Sequence, residues 1–329
     1  MGYPPPGTNP TELIELAREA ERVGYDSAWA AEAWGTDAAT VLAWLAATTT
    51  TIKVGSAIFQ IPARTPTNTG MTAATLDLMS GGRFLLGLGV SGPQVVEGWH
   101  GEPWGKPLGK MREYVEIVRA VLRRQTIEHS GEHYTIPYSG PNGTGLGKPL
   151  KLMARPLRAE IPIYLAVFKP RSVELAAEIA DGWLPIFFSP ERARQTFPAP
   201  FARGEGFDIA PAVPALASDD VESARDALRP YYALYIGGMG ARGANFYNDL
   251  VASYGFEAEA KQIQDLFLDG KQRDAAAAVP DALIDEMALV GPPDRIKDRL
   301  AAWQESGATT LLVSARDLTT LRTVAEALP

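Results

Sequence analysis

The feature that most constrains the fold of this 329-residue chain is the alternation of short strand-like and helix-like segments. Apolar residues at helical spacing over residues 11–23 are followed by a strand-like run at 25–30, and the same order repeats along the chain. Parallel strands require crossover connections, which helices of this length provide. The alternation therefore predicts an α/β fold with a parallel sheet.

Seven strands are predicted, and helices separate them. The strands are 25–30, 52–59, 84–88, 161–167, 182–187, 210–217 and 309–313. The helices are 11–23, 37–48, 67–79, 110–124, 172–180, 221–235, 249–278, 294–306 and 318–328. Residues 287–290 are too short to count as a strand. Residues 91–109, 125–160 and 189–207 are predicted as loops, because Gly and Pro recur there.

The strand count favours a closed barrel over an open sheet. Seven parallel strands, with a place for an eighth ahead of residue 1, fit a (β/α)8 TIM barrel, whereas an open doubly wound sheet has about five or six strands. We therefore predict one TIM-barrel domain over 1–329, with insertions near 125–160 and 189–207 and a truncated first strand.

Composition narrows the class of protein further. The chain is 46% hydrophobic, so it can bury a large core, and its net charge of −8 argues against nucleic acid as a partner. It has no cysteine, no recognisable signal peptide and no apolar run near the roughly 20 residues needed to cross a bilayer. We therefore expect a cytoplasmic protein without a membrane partner. The three histidines, His100, His129 and His133, make a histidine-rich metal centre improbable, and no metal is expected.

A glycine-rich stretch follows the strand at 84–88. Residues 87–92 read Gly-Leu-Gly-Val-Ser-Gly and match G-x-G-x-x-G, which is typical of dinucleotide-binding folds when a helix follows at once. Here Pro93 and a predicted loop intervene. We favour a strand end at Gly89, Val90 and Ser91 where a ligand approaches the backbone, with the dinucleotide fold as the alternative.

Several motifs together resemble the luciferase-like flavin and deazaflavin oxidoreductases. They lie at residues 19–21, 24–27, 31–35, 63–66, 75–84, 89–92 and 180–183. The stretches 90–99, 145–148 and 235–240 are similar to a subgroup that depends on the deazaflavin coenzyme F420. The resemblance implies a TIM barrel with its pocket at the C-terminal ends of the strands.

The resemblance places an acid at Glu32, where related enzymes carry an acidic residue or an acid–histidine pair. Among Trp29, Trp34 and apolar neighbours this carboxyl is expected to have a raised pKa and to donate a proton. The alternative is a solvated glutamate at a helix N-terminus. Ala33 takes the place of the histidine of the pair, so the acid–base assignment stays open.

The resemblance also implies a bulge at Ala57–Ile58, with a non-proline cis peptide against the deazaflavin ring. Ser56 and Gln60 would then point toward the ring or its polar edge. The alternative at these positions is an ordinary barrel strand.

Positive charge marks the segment expected to hold the coenzyme's phosphate. Phe168, Lys169, Arg171 and Ser172 join a strand to a helix start, where backbone N–H groups and cationic side chains can bind phosphate. Many relatives have a glycine near Phe168, and surface charge is the alternative explanation. Arg64 is expected either to bind carboxylates of the coenzyme tail or to pair with a surface acid.

Two residues of the loop 91–109 are assigned to the substrate side. Trp99 and Trp34 are expected to line the substrate side of the deazaflavin ring, and His100 is suited to proton transfer at neutral pH. The alternative is a pair of loop residues packed under the insertion.

The resulting hypothesis is hydride transfer between F420 and a small organic substrate, with the proton balanced by Glu32 or His100. An FMN-dependent monooxygenase of the same fold is the alternative enzyme, and a flavin-binding barrel acting as a carrier or sensor is the alternative outside catalysis. The family commonly forms homodimers, so the resemblance implies a homodimer here.

Overall fold

A computed structural model describes residues 11–328, and these form two compact units. The first unit contains the chain up to residue 167 together with 174–182, and the second contains 168–173 together with the chain from 183 onward. The predicted truncation of the first strand lies outside the described residues and stays a prediction. Within residues 11–328, no helix combines the length and the apolar character that crossing a bilayer requires.

The first unit alternates strands and helices. Its strands are β1 (Ser27–Ala30), β2 (Lys53–Ser56), β3 (Phe59–Gln60), β4 (Phe84–Gly89), β5 (His129–Ser130), β6 (Thr135–Ile136) and β7 (Ile163–Leu165). Its helices are α1 (Thr11–Arg22), α2 (Ala38–Thr48), a 3-10 turn (Ile61–Ala63), α3 (Pro66–Met79), α4 (Pro93–Gly98) and α5 (Pro107–Leu122). Helix α6 (Pro170–Ile179) and strand β8 (Gly182–Trp183) each have residues in both units.

The sheet of the first unit is parallel and runs in chain order. Strand β1 pairs with β2, β2 with β4, and β4 with β7, with Val54 opposite Phe84 and Leu86 opposite Ile163. All six residues of β4 are buried, as expected of a parallel strand covered on both faces. This order has no point of reversal, which separates it from a doubly wound dinucleotide fold.

Polar side chains terminate helix α2 at both ends. The Asp37 carboxylate accepts a hydrogen bond from Thr40 N at 2.7 Å and caps the first turn. Beyond the last turn, the Glu21 carboxylate accepts from the backbone N–H groups of Thr50, Thr51 and Ile52. Glu21 thereby holds the connection between α2 and β2.

Two predicted loops of the first unit contain regular structure. Helix α4 begins at Pro93, directly after Gly92, so the prediction of a continuous loop over 91–109 is wrong. It is only six residues long and lies between prolines and glycines, so the helical spacing of apolar residues cannot be recognised in the sequence. The insertion at 125–160 is mostly irregular but holds the antiparallel pair β5 and β6, whose turn donates three backbone N–H bonds to Glu113.

The second unit carries the remaining elements. Its strands are β9 (Asp208–Ile209), β10 (Ala212–Ala217), β11 (Leu289–Gly291) and β12 (Leu312–Ser314). Its helices are α7 (Ala193–Thr196), α8 (Pro198–Phe201), α9 (Val221–Ala233), a π-helical turn (Leu234–Gly238), α10 (Phe246–Ser253), α11 (Glu257–Leu268), α12 (Gln272–Ala277), α13 (Asp281–Met287), α14 (Pro293–Glu305) and α15 (Leu318–Ala327).

Three predictions for the second unit are wrong. The predicted loop over 189–207 contains the short helices α7 and α8. The segment dismissed as too short is strand β11, which pairs in parallel with the end of β10. The single helix predicted over 249–278 is divided into α10, α11 and α12, because Gly255 and Gly270 adopt φ of 91° and 79°. Left-handed glycines of this kind end helices. Strand β10 lies between β11 and β12 and is parallel to both.

Candidate active site

Glu32 follows strand β1, and its side chain is 6% exposed. Its carboxylate accepts a bond from Arg64 Nη2 at 2.8 Å, one from Ala38 N at 3.1 Å and one from Gln60 N at 3.3 Å. Trp34, one of the predicted apolar neighbours, is 50% exposed. The setting is that of a paired, hydrogen-bonded carboxylate, which differs from the apolar pocket predicted for a proton donor.

Arg64 is engaged by two acids. Besides Glu32, it binds the Asp37 carboxylate at 2.5 Å, and its guanidinium carbon lies 4.8 Å from the centre of the Phe59 ring. Burial lowers the pKa of Arg64, but the hydrogen bonds and charges of Glu32 and Asp37 outweigh that effect and raise it. Arg64 is therefore a fixed cation. It pairs with one buried acid, Glu32, and with one exposed acid, Asp37, so the pairing with a surface acid considered from the sequence is present at Asp37.

Gln60 connects Glu32 to His100. Its backbone N–H donates to Glu32, its side-chain nitrogen donates to Ala33 O at 2.8 Å, and its side-chain oxygen lies 3.4 Å from His100 Nε2. Two predicted catalytic residues thus belong to one hydrogen-bonded network. Because the Gln60 oxygen can only accept, this contact requires a hydrogen on His100 Nε2, which in the neutral ring leaves the lone pair on Nδ1.

Strand β2 ends in the bulge that the resemblance implied. The Ala57–Ile58 peptide bond is cis, which confirms that prediction, and the ladder resumes where Phe59 pairs with Leu88 of β4. Ala57 and Ile58 are half-buried between fully buried neighbours, so they present surface that a ligand could contact. Ser56 differs from its predicted orientation, because it is fully buried and its hydroxyl bonds the backbone of Gly87.

The end of β4 lies beside this bulge. A Cβ at Gly89 would lie 2.5 Å from Ile58 Cδ1, so the absent side chain makes room for Ile58. That differs from the predicted approach of a ligand to the Gly89 backbone. Val90 and Ser91 follow as half-buried residues, and Ser91 has a φ of 60°. Trp99, after α4, is 65% exposed and His100 is half-buried.

The predicted phosphate segment belongs to the second unit. Helix α6 begins at Pro170, and the Ser172 hydroxyl accepts from Lys169 N at 3.1 Å and donates to Lys169 O at 2.7 Å. Lys169 and Arg171 are exposed, and Lys169 Nζ lies 3.6 Å from the centre of the Phe246 ring. Ser172 therefore shapes the turn, while the two cations remain accessible to an anion.

Sequence reasoning missed two groups of residues. Asp37 was seen only as part of a helix start, although the capping position signals its carboxylate; its bond to Arg64, 27 residues away, has no local signal. Aromatic residues after β7 and β8 and on α9 and α10 gather in the second unit, and the spacing of Tyr231 and Tyr235 was the available hint.

A cavity of about 570 Å³ also lies in the second unit. Its lining is charged and includes ion pairs such as Arg192 with Glu286 and Arg299 with Glu191. None of the predicted site residues lines it. We therefore do not place the chemistry there, since its charges satisfy one another.

Comparisons with known proteins agree with the predicted family. A sequence model of the family described as luciferase-like monooxygenase matches residues 2–310. A protein of Mycobacterium tuberculosis named as a coenzyme F420-dependent oxidoreductase is 43% identical over 326 residues, which cover 96% of this chain and 94% of that protein.

Two solved structures resemble the fold over nearly the whole chain. The coenzyme F420-dependent tetrahydromethanopterin reductase of Methanopyrus kandleri matches with a TM-score of 0.77 at 22% identity, over 99% of this chain and 97% of that one. An F420-dependent secondary alcohol dehydrogenase, solved with an F420–acetone adduct, matches with a TM-score of 0.77 at 18% identity, over 98% and 95%. At these identities the likeness establishes the fold alone, and it confirms the TIM-barrel prediction.

Proposed function

The chain belongs to the luciferase-like monooxygenase family, and from this premise we propose that it is an oxidoreductase that transfers a hydride between coenzyme F420 and a small organic substrate. The observation that carries the proposal is the 43% identity, over 96% of this chain, to a protein named as F420-dependent. The geometry of the predicted site residues is consistent with it.

The donor set of this chain fits part of such a coenzyme. On the second unit, the exposed cations Lys169 and Arg171 at the start of α6 match the charge of a phosphate. On the first unit, half-buried Ala57, Ile58 and Val90 offer apolar surface for a flat ring. Arg64 and Ser56 do not fit as ligands, because Arg64 is bound by Glu32 and Asp37, and Ser56 by the Gly87 backbone.

When bound, the coenzyme supplies or accepts a hydride at its C5 atom. His100 then has the proton-transfer role, because Nδ1 carries its lone pair while Nε2 is held by Gln60. Glu32 acts as a positioning residue. Its carboxylate fixes Arg64 and the backbone of Gln60, and Gln60 in turn orients His100.

We also propose that the protein is a cytoplasmic homodimer. On the first unit, α3 leaves Leu78 60% and Met79 51% exposed, and the insertion leaves Met153 93% exposed. Arg158 of the insertion binds Asp77 at 2.5 Å, so the insertion contacts α3 at the residue next to Leu78. A second copy would cover these exposed apolar side chains. Light scattering of the purified chain tests this, and a monomer at micromolar concentration would refute it.

Turnover with reduced coenzyme tests the function. The purified chain is mixed with reduced F420 and a panel of ketones, aldehydes and imines, and both the visible absorbance of the coenzyme and dissolved oxygen are followed. We expect substrate-dependent oxidation of the coenzyme without oxygen uptake. The family's monooxygenase description favours reduced FMN as the alternative, which would consume oxygen with substrate. Tight binding with no turnover on any compound would indicate the carrier or sensor.

A further inference from the structure

We propose that an aromatic cluster in the second unit is the substrate pocket and that it takes an uncharged, ring-bearing carbonyl compound. The cluster comprises Phe168, Phe187, Tyr231, Tyr232, Tyr235, Phe246 and Tyr247. The assignment of a carbonyl substrate rests on the proposed function, whereas the binding site itself stands on the geometry of these residues.

Phe187 is the hub of the aromatic cluster. Its ring centre lies 5.9 Å from that of Tyr231, 5.6 Å from that of Tyr235 and 5.6 Å from that of Tyr247. Tyr235 and Tyr247 meet edge to face at 4.9 Å, and Phe168 lies 4.8 Å from Tyr247. The rings therefore form one continuous aromatic surface.

The backbone around the cluster is unusual in two places. Phe187 has a φ of 56°, a conformation that bulky residues rarely adopt, and the Tyr254 hydroxyl holds it by donating to Phe187 O at 3.2 Å. Helix α9 passes into the π-helical turn that carries Tyr235. Strained residues and π-turns concentrate at functional sites, and here both present rings to the same cluster.

The tyrosine hydroxyls of the cluster are unused. Tyr231, Tyr235 and Tyr247 are each half-buried, and within residues 11–328 their hydroxyls have no hydrogen-bond partner. Burial raises the pKa of Tyr231 well above its usual value, and the nearby hydroxyls of Tyr235, Tyr232 and Tyr247 raise it further. Each of these side chains keeps part of its surface exposed, so their hydroxyls are available as donors to a ligand.

The chemistry of the aromatic cluster selects the ligand. Burial raises the pKa of Tyr235 and of Tyr247 as well, so these hydroxyls stay neutral donors at physiological pH. A charged group would lose its hydration here without a counter-charge, which is costly. A flat apolar body suits the ring faces, and a carbonyl oxygen suits the hydroxyl donors.

The cluster is continuous with the segment proposed to bind the coenzyme's phosphate. Phe168 belongs to both, and Lys169 of that segment lies over the ring of Phe246. In the proposed reaction the carbonyl carbon gains a hydride from the reduced coenzyme and the oxygen gains a proton that solvent supplies through His100, which yields an alcohol and the oxidised coenzyme. A tyrosine hydroxyl on that oxygen would stabilise the charge that develops during transfer.

A matched pair of ligands tests the proposal without coenzyme. Acetonaphthone, an uncharged aromatic ketone, and naphthoate, which has the same rings and a carboxylate, are titrated into the purified chain while its intrinsic fluorescence is followed. We expect acetonaphthone to bind at least roughly 10-fold more tightly than naphthoate. Tyr235→Phe and Tyr247→Phe, which keep the ring and remove one donor, should each weaken binding of the ketone by roughly 5- to 10-fold. Tyr138→Phe, at an exposed tyrosine of the first unit, should leave it unchanged.

Two results would overturn the inference: naphthoate binding as well as the ketone, or ketone binding that both Tyr→Phe variants leave unaltered. A parallel titration with F420 separates this inference from the proposed function. If the chain binds F420 but the ketone test fails, the substrate pocket is refuted and the proposed function is not. If the variants weaken ketone binding but the chain does not bind F420, the coenzyme assignment is refuted and the pocket is not.

Discussion

Arg64 lies 2.8 Å from the carboxylate of Glu32, whose side chain is almost fully buried. The pair joins the end of β1 to the turn after β3. From the sequence, Glu32 was predicted to donate a proton and Arg64 to bind the coenzyme. A buried ion pair of this kind positions its neighbours, because neither partner can turn to solvent without leaving the other uncompensated.

Removal of Arg64 should therefore destabilise the fold. We expect Arg64→Leu to lower the free energy of unfolding by about 3 kcal/mol, because it leaves Glu32 buried and unpaired. The double variant Glu32→Gln/Arg64→Leu should recover part of the loss. Urea denaturation measures both. Lys106→Leu, which breaks an exposed pair with Glu132, serves as the control and should have little effect. Equal effects at Arg64 and Lys106 would contradict the buried-pair account.

Glu21 should make the free energy of unfolding depend on pH in the acid range. Burial alone would raise its pKa, but the backbone N–H groups of Thr51, Ile52 and Thr50 outweigh that and lower it to about 2. A lowered folded-state pKa contributes stability above the unfolded pKa of 4.5, and the contribution disappears as pH falls toward 2.

Glu21→Gln should accordingly cost about 1 kcal/mol at neutral pH, since the carboxylate is partly solvent-exposed, and progressively less toward about pH 3. Urea unfolding of both proteins across this range measures the difference. Glu15→Gln, on the exposed face of the same helix, is the matched control. A difference that is constant with pH would exclude the hydrogen-bonded carboxylate as its cause.

His100 should affect turnover and not coenzyme affinity. We expect His100→Ala to lower kcat by roughly 100-fold, because proton transfer loses its positioned group. Gln60→Leu should shift the pH profile of kcat, since His100 would lose the acceptor at Nε2. His129→Gln, in strand β5, is the control. An unchanged kcat in His100→Ala would remove His100 from the mechanism.

Lys169 and Arg171 should contribute to coenzyme affinity through charge. We expect Lys169→Gln or Arg171→Gln to weaken F420 binding by roughly 10-fold, with the difference shrinking at high salt. Fluorescence titration at two salt concentrations measures both effects. Arg155→Gln, an exposed arginine of the insertion, should behave like the unmodified protein. If all three variants bind F420 alike, the phosphate lies elsewhere.

The regular elements were predictable wherever burial dictates a local pattern. Strand β4 is apolar throughout because both faces are covered, and α1 shows its buried stripe at helical spacing. Helix α4 was missed because six residues between glycines and prolines give no measurable period. The division of the predicted helix at 249–278 was available in principle, since Gly255 and Gly270 are stop signals of the ordinary kind.

The positions of the site residues were predictable from the sequence, but the contacts between their side chains were not. Family likeness located Glu32, Gln60, His100 and the Ala57–Ile58 bulge, which the structure brings to adjoining places. The pairing of Glu32 with Arg64, however, spans 32 residues along the chain. No local pattern encodes which of several acids an arginine meets after folding. The tyrosines around Phe187 are hidden from sequence for the same reason.

Side-by-side titration of the purified chain with F420 and with FMN, followed by fluorescence, distinguishes the two coenzymes. We expect micromolar affinity for F420 and binding of FMN at least roughly 10-fold weaker. Micromolar affinity for FMN with no binding of F420 would contradict the F420 assignment.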